Sequence, residues 1–541
     1  MAFFDNPTDV QIETASGTST VVTRDDKLNE YGTGPTLHNL YRSPLYNDYE
    51  TSRLGYSPLP IAVHREPTST ATTRGNACNV LIDGMLCCWT VQNDQVGVAG
   101  KIYISDYHFG DILHVLTAPT GASSRWGLQT NKAINGRLYV GDGSAEGGSG
   151  RIYCYNMYTG QLLGTIAPSG SAVLYFGNSF DVADGGLRYA SGNISTLEPG
   201  ERHDVLVVLT QNKWGETTNT DKLSYVQLSV NERNTTWGYS YVAGGDFPPT
   251  TVDNMFNPSY IGSGAVFNRV NVKFTSNWFF MSHNGGVFIC PTSAHYFMSS
   301  TFLIDLWGTV VPRPSYQSTN GYFGVSVAFK GDLIAIVDNT TKGSSKGTVY
   351  GSVHVFQVTN DSTVSFKLDL KLIKNLSYNT AGKFKLQSAA FTDDYLIVAD
   401  ERGEADISEA AHYGAYPWKN ATGHGFHMYS ISEIYDTNIP NPPPIVVSHQ
   451  RQFNDGIDCG VARIFDTRFI ADETRAAKED NFYLGTGLAA QGDRLVMWGV
   501  VPPENRIGTT VSDIDRWAGL LSYNIKGGFN IKESIDNLIG R

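Results

Sequence analysis

Residues 321–339 read GYFGVSVAFKGDLIAIVDN. Two apolar runs, 325–329 and 333–337, flank the dipeptide Gly331-Asp332. A Gly-Asp, Asn-Gly or Asp-Asp pair between two such runs is a short-range hairpin signal, because Gly and Asn tolerate the positive φ of a tight turn. The phrase recurs in degenerate form along most of the chain. Residues 382–400 read GKFKLQSAAFTDDYLIVAD and 482–500 read FYLGTGLAAQGDRLVMWGV. Residues 125–143 read RWGLQTNKAINGRLYVGDG and 175–193 read YFGNSFDVADGGLRYASGN. Weaker copies are VNVKFTSNWFFMSHN from Val270 and NVLIDGMLCCW from Asn79.

After the hairpin a third strand often opens on Gly, as at Gly100, Gly150, Gly351, Gly425 and Gly519. A more polar fourth strand then closes the unit, as in DILHVLTAP, QLLGTIAPS and FKLDLKLIK. Four antiparallel strands repeated about every fifty to seventy residues define a propeller blade. The fold class expected is therefore all-β, a β-propeller. First strands are expected near residues 80, 133, 180, 272, 327, 389 and 488, which gives seven blades, with six to eight open. The long interval from 180 to 272 contains HDVLVVLTQ and YVQLSV, readable as strands of one expanded blade. The interval from 389 to 488 contains CGVARIFDTRFIADE, which itself reads as a blade opening.

The phrase resembles the FG-GAP repeat, the blade unit of integrin-α-like propellers. Phe323-Gly324-Val325-Ser326-Val327-Ala328 with Gly331-Asp332 carries the resemblance best. Phe176-Gly177-Asn178-Ser179 and Gly485 with Gly492-Asp493 carry parts of it. The resemblance implies a propeller and, in many members, Ca²⁺ loops of alternating aspartates ending in Gly. This chain has no such Asp-x-Asp-x-Asp-Gly loop, and oxygen-rich loops of that kind are what Ca²⁺ requires. No metal site and no cofactor is expected.

Charged residues make up 17% of the chain, below the usual quarter, and Gly, Tyr and Phe are abundant. The formal net charge is −12 without a basic stripe, which disfavours nucleic acid as a partner. No apolar run reaches the length needed to cross a bilayer, and no signal peptide is expected from MAFFDNPTDVQIETASG. The six cysteines are scattered and fall mostly within strand phrases, which reads as free, half-buried thiols. Cys87 and Cys88 are adjacent and should point to opposite faces of a strand.

Residues 1–75 do not read as blades. The segment is rich in Thr, Ser, Asn and Pro, yet carries Tyr31, Leu40, Tyr41, Tyr46, Tyr49 and Tyr56 at irregular spacing. It reads either as an extended arm that orders against a neighbouring subunit, with tyrosines as anchors, or as a disordered tail or a strip on its own propeller. The propeller then spans residues 76–541, with an exposed insertion at 401–423. Tyr413, Tyr416 and Trp418 on that insertion are candidate contacts for a partner, receptor or surface glycan.

Catalytic signatures are missing: the sialidase box, His-Glu-x-x-His and the phosphate-binding loop do not occur. His412, His424 and His427 form the densest group of potential ligands but lack a carboxylate or thiolate at suitable spacing. Asp25-Asp26, Asp393-Asp394, Asp332 and Asp493 sit at turn signals, which explains them without catalysis. Three functional classes remain. The expectation is a non-enzymatic virion structural protein of the tailed-phage kind, docking through the arm onto other virion proteins and forming a homo-oligomer. The others are an adhesion module for a host receptor or glycan, and an enzyme acting on glycans.

Overall fold

The computed structural model describes residues 79–525 apart from connecting stretches, of which the longest are 248–269, 292–308, 402–424, 449–486 and 502–515. It also describes three N-terminal pieces, 9–13, 19–23 and 62–68. The described strands form seven four-stranded antiparallel sheets. Sheet 1 runs from Leu81–Asp83 at its inner edge through Leu86–Val91 and Lys101–Asp106 to Ile112–Thr117. The other innermost strands are Asn131–Ile134, Leu174–Asp184, Asn271–Phe274, Tyr322–Lys330, Lys385–Phe391 and Gly487–Gln491, which open sheets 2 to 7. All seven lie where the repeated phrase places them. The chain is a β-propeller.

Packing follows from burying both faces of each second strand. Such strands need a continuous apolar run rather than alternation. In Leu333–Thr341, Ile334 and Ile336 pack toward sheet 4, with Phe280 and Ile289. Leu333, Ala335 and Val337 pack toward sheet 6, with Val398 and Tyr429. The same division puts Cys88 in the core between sheets 1 and 2 and Cys87 in the core between sheets 7 and 1. The ring continues from sheet 6 to sheet 7, where the Asp393 amide donates to the Gly492 carbonyl at 3.0 Å. It closes at sheet 1, where the Gly84 amide donates to Gln491 Oε1 at 2.8 Å.

The aromatic-Gly pair before the inner strand has a physical role. Trp126, Phe176 and Phe323 are buried, and the following Gly127, Gly177 and Gly324 all have positive φ. In sheets 3 and 5 the inner strand shifts register at this point, between Leu174 and Ser179 and between Phe323 and Ser326. A bulge of this kind turns the aromatic ring into the core. At Gly177 a β-carbon would lie 2.4 Å from the Arg151 carbonyl oxygen of sheet 2, so no side chain fits. Asparagines of the sheets then clip the pair. Asn79 and Asn131 both donate from Nδ2 to the Gly127 carbonyl at 2.9 Å, and Asn271 donates to the Gly324 carbonyl at 2.6 Å.

Two expectations change. The phrase at 175–193 does not form one hairpin: Leu174–Asp184 pairs with Glu201–Gln211, while Leu187–Ala190 and Asn193–Thr196 form a separate small hairpin. The partner with a long apolar run, HDVLVVLTQ, supplies both-face burial that LRYA cannot. Second, the arm boundary at residue 75 moves. Ala62–Thr68 pairs along its whole length with Arg516–Asn524 and is the outermost strand of sheet 7. Asp9–Glu13 and Ser19–Thr23 form a further two-stranded hairpin.

Candidate functional site

The densest cluster of buried charge sits between sheets 2 and 3. Arg137 opens the second strand of sheet 2 just after the Asn135-Gly136 turn. Its Nη1 donates to Asp204 Oδ2 at 2.5 Å, and its Nε and Nη2 donate to Glu232 Oε2 at 2.9 and 2.7 Å. The Tyr139 hydroxyl donates to the same Asp204 oxygen at 2.6 Å. Arg137, Tyr139 and Asp204 are buried, and Glu232 reaches the surface. Burial alone would lower the Arg137 guanidinium, but Asp204 beside it and the hydrogen bonds to both carboxylates lift it above its ordinary value. Arg137 therefore stays charged and bridges two sheets. With no exposed face on Arg137 or Asp204, the chemistry available is that of an inter-sheet clamp.

A second set lies on the innermost strands of sheets 2, 3 and 4. Lys132 and Lys273 each reach one oxygen of buried Asp181 at 3.1 Å, and the Phe274 amide donates to Oδ2 at 2.8 Å. Burial would raise the Asp181 carboxyl, yet the two ammonium groups and the amide hold it below the usual carboxylate value. A third set joins Ser352, His354 and Asp338 in sheet 5. His354 Nε2 meets Ser352 Oγ at 3.1 Å and Asp338 Oδ2 at 3.4 Å. A nucleophile relay uses opposite ring nitrogens for the nucleophile and the orienting carboxylate. Here one nitrogen serves both, so the geometry is that of a packing hydrogen bond. His203 likewise meets Ser229 Oγ through Nε2 at 2.8 Å, and burial lowers its pKa.

Sequence reasoning missed the Arg137, Asp204 and Glu232 clamp. Its signal is a charged residue at the mouth of an otherwise apolar run, in RLYVGD and in HDVLVVLTQ. Of the turn aspartates, Asp25 and Asp26 lie outside the described residues, and Asp332 bonds to its surroundings as a turn residue. Asp332 accepts from Gln357 at 2.7 Å and from the Tyr435 hydroxyl at 2.6 Å. Cys87, Cys88, Cys154 and Cys290 are free and buried, and burial pushes the Cys154 thiol up to about 12. Among the described residues no group of three His, Cys, Asp or Glu side chains could hold a metal ion. His427 lies on Gly425–Ser430, opposite Val398 and Val446, while His412 and His424 fall outside the described residues. The expected contact residues Tyr31, Leu40, Tyr41, Tyr46, Tyr49, Tyr56, Tyr413, Tyr416 and Trp418 also lie outside them.

The described part of the N-terminal segment gives the other candidate site, at the rim of the ring. Ala62 pairs with Ser522, two residues from Asn524, which pairs with Arg494 just after the Gly492-Asp493 turn. The strand Ala62–Thr68 therefore begins at the outer edge of sheet 7, on the end that carries this turn.

The class this geometry defines is the β-propeller. No protein-family model matches the chain, and no curated protein matches it. Solved structures similar to it include the WD40 domain of SCAP from fission yeast, at 8% identity and TM-score 0.35, covering 87% of this chain and 98% of that one. Saccharomyces cerevisiae Sqt1 matches at 9% identity and TM-score 0.34, covering 86% and 98%. The quinohemoprotein alcohol dehydrogenase ADHIIG of Pseudomonas putida HK5 matches at 10% identity and TM-score 0.35, covering 88% and 79%. Likeness at this level carries no functional argument.

Proposed function

We propose that this chain is a non-enzymatic structural protein of a virion, of the tail, fibre-adaptor or head-decoration kind. It docks through its N-terminal segment and presents a propeller built of FG-GAP-like blades. One observation carries the reading: Ala62–Thr68 is bonded into sheet 7 as its outermost strand. A segment that leads into an outermost strand starts from the rim of the ring, where a neighbour can be met. The sequence before Ala62 supplies Tyr31, Leu40, Tyr41, Tyr46 and Tyr49, large anchors with few torsions to immobilise. Low charge, at 17% of residues, suits a surface that is covered in an assembly. The partners are other copies of this chain and other virion proteins.

Light scattering on the full chain and on a chain beginning at Glu50 tests the reading. The shorter chain keeps the Ala62–Thr68 strand intact. A defined oligomer for the full chain and a folded monomer for the shorter one is the expected result. If both are monomers, the N-terminal segment does not drive self-assembly and the homo-oligomer fails. A glycan and receptor screen would then address the adhesion reading, with Tyr413, Tyr416 and Trp418 as the first residues to alter.

A further inference from the structure

At the rim between sheets 2 and 3, three aromatic rings lead from the core to solvent. Phe176 is buried, and Trp214 packs against it with ring centroids 6.0 Å apart. Tyr241 stacks on Trp214 at 6.0 Å with the ring planes 20° apart. Burial decays along the row: Trp214 is half-buried and Tyr241 is 46% exposed. Tyr239, on the same outermost strand Thr236–Asp246, is 37% exposed. Tyr239 and Tyr241 pair directly with Val230 and Leu228, both members of the core between sheets 2 and 3, so the two tyrosines share the face toward sheet 2.

The exposure has a geometric cause. The outermost strand of sheet 2, Leu162–Ile166, is shorter than the eleven-residue strand that faces it. The Trp237 ring lies over Gly164 so closely that a β-carbon there would be 2.2 Å from it, and the Tyr239 hydroxyl meets the Ala167 amide and carbonyl at 3.5 and 3.4 Å. Tyr241, two residues further on, lies past the end of sheet 2, and Trp214 supports it there. The loop that delivers Trp214 is held firmly. Buried Asn212 accepts from the Thr220 amide at 3.0 Å and hydroxyl at 2.9 Å, and donates to the Ala172 carbonyl at 2.8 Å. The Gly215 amide donates to the Ser169 carbonyl at 2.8 Å, and the Ala172 amide to the Glu216 carbonyl at 3.1 Å. Asn212 and Asp221, at the two ends of the loop, both have positive φ. The rings are therefore set in place before any ligand arrives.

We propose that Tyr239 and Tyr241, backed by Trp214, bind a neutral glycan chain. The face of an aromatic ring is electronegative and attracts the C–H-rich face of a pyranose, while the sugar hydroxyls need polar partners at the edge. Exposed Ser169 and Ser171 supply hydroxyls on the stretch that is bonded to the Trp214 loop. Charge selects a neutral sugar. Lys213 pairs with Glu216 at 3.6 Å and Lys222 with Asp246 at 3.1 Å, so neither lysine of the loop is left over for a sulfated or sialylated chain. The remaining carboxylate of the loop, Asp221, accepts from Gln211. Two exposed rings edged by hydroxyls are also far smaller than the roughly 800 Å² per partner of a stable protein interface. Fixed rings lose little torsional freedom on binding, which a weak, small contact requires. The inference goes beyond the virion reading and does not rest on it, and the site is distinct from Tyr413, Tyr416 and Trp418.

Native electrophoresis of the full chain through gels containing starch, dextran, galactomannan or xyloglucan tests it, with a heparin gel as the anionic counterpart. Mobility should fall in at least one neutral gel and stay unchanged in heparin. Tyr241→Ser should weaken the retardation about tenfold, the loss expected for one stacked ring, and should melt like the unaltered chain because the position is exposed. Trp214→Ala should weaken it too, by removing the support of Tyr241. Tyr158→Ser, at a 62% exposed tyrosine of sheet 2, should bind like the unaltered chain. Unchanged mobility in all four neutral gels overturns the proposal, as does retardation indifferent to Tyr241→Ser or retardation by heparin alone. A fall in oligomeric mass with Tyr241→Ser also overturns it and assigns the rings to a second copy. The assembly reading is tested by the mass of the chain beginning at Glu50, which keeps this site, so failure of that reading and failure of this one are separate results.

Discussion

The seam between sheets 2 and 3 and the seam between sheets 7 and 1 join blades in different ways. The first is deep and polar at its heart: Arg137 bridges Asp204 and Glu232 inside a core that includes Phe176, Phe180 and Val208. The second is apolar: among the described residues, the buried members of its core are Val80, Cys87, Trp89 and Val496. Near the turns, the Gln491 contact with Gly84 and an Arg494 hydrogen bond to the Gly84 carbonyl reinforce it. Sheets 2 and 3 are consecutive in the chain, whereas sheet 7 is assembled from Ala62–Thr68 and three strands after residue 486. Closing the ring therefore relies on a pairing between segments some 450 residues apart, with the loop-closure entropy that such a separation costs. The ring should open first where its ends meet.

The largest effect should come from removing the closing strand. A chain beginning at Gly75 loses the pairing of seven residues with Arg516–Asn524. At about 1 kcal/mol net per backbone hydrogen bond, the loss is on the order of 4–7 kcal/mol before any packing is counted. Denaturant unfolding should show a large drop in midpoint, and exchange of Arg494–Val501 should rise well before that of sheets 2 and 3. A chain beginning at Glu50 keeps the strand, and its sheet 7 should keep the protection of the full chain. Equal stability of the chains beginning at 50 and 75 would sink the closing role.

The clamp comes next. Arg137→Leu leaves Asp204 buried without its cation, which should cost about 3–5 kcal/mol in chemical unfolding. Replacing the set together, as R137L/D204L/E232L, should recover most of that loss, because an apolar replacement of a buried ion network is often neutral. If the triple variant is no better than the single, the cluster does more than staple two sheets. Gly177→Ala probes the same seam through the backbone. Its φ of 95° and the Arg151 carbonyl 2.4 Å from the new β-carbon should cost about 1–3 kcal/mol. Gly84, also at positive φ but with open space around it, should tolerate alanine better in a side-by-side thermal melt.

These contrasts also explain what the sequence could disclose. The seven innermost strands were legible because repetition marks them and because their neighbours bury both faces, which writes runs such as LIAIV and LVMW into the chain. The closing strand AVHREPT was not legible. An outermost strand has one neighbour, so its side chains need not alternate in polarity, and its Pro67 reads as a strand breaker although an edge accommodates it. The small hairpin that lies in sequence between the first two strands of sheet 3 was misread for a related reason. Asp-Gly-Gly marks a turn without saying which later run returns to the sheet, and here the long apolar run at Glu201–Gln211 does so. The clamp was hidden because a lone Arg and a lone Asp, about seventy residues apart, look like ordinary strand ends until the sheets are stacked.

The smallest effect is the most specific in its form. Asp181 is buried between Lys132 and Lys273, and its carboxyl is held below the value of 3.8 it would have unfolded. For a depressed acid, the stabilisation is fully present above the unfolded pKa and is lost as pH falls through the folded one. Unfolding free energy should therefore be flat in this contribution from neutral pH down to about pH 4 and then decline with acid. Asp181→Asn should lower stability at neutral pH, because both lysines lose their counter-ion, and should make the acid limb shallower. The comparison is the difference between the two pH profiles, which cancels the carboxylates they share. Parallel profiles down to about pH 2 would mean that the lysines leave Asp181 in the folded state no more acidic than in the unfolded chain. The axial set would then contribute packing and hydrogen bonds rather than charge.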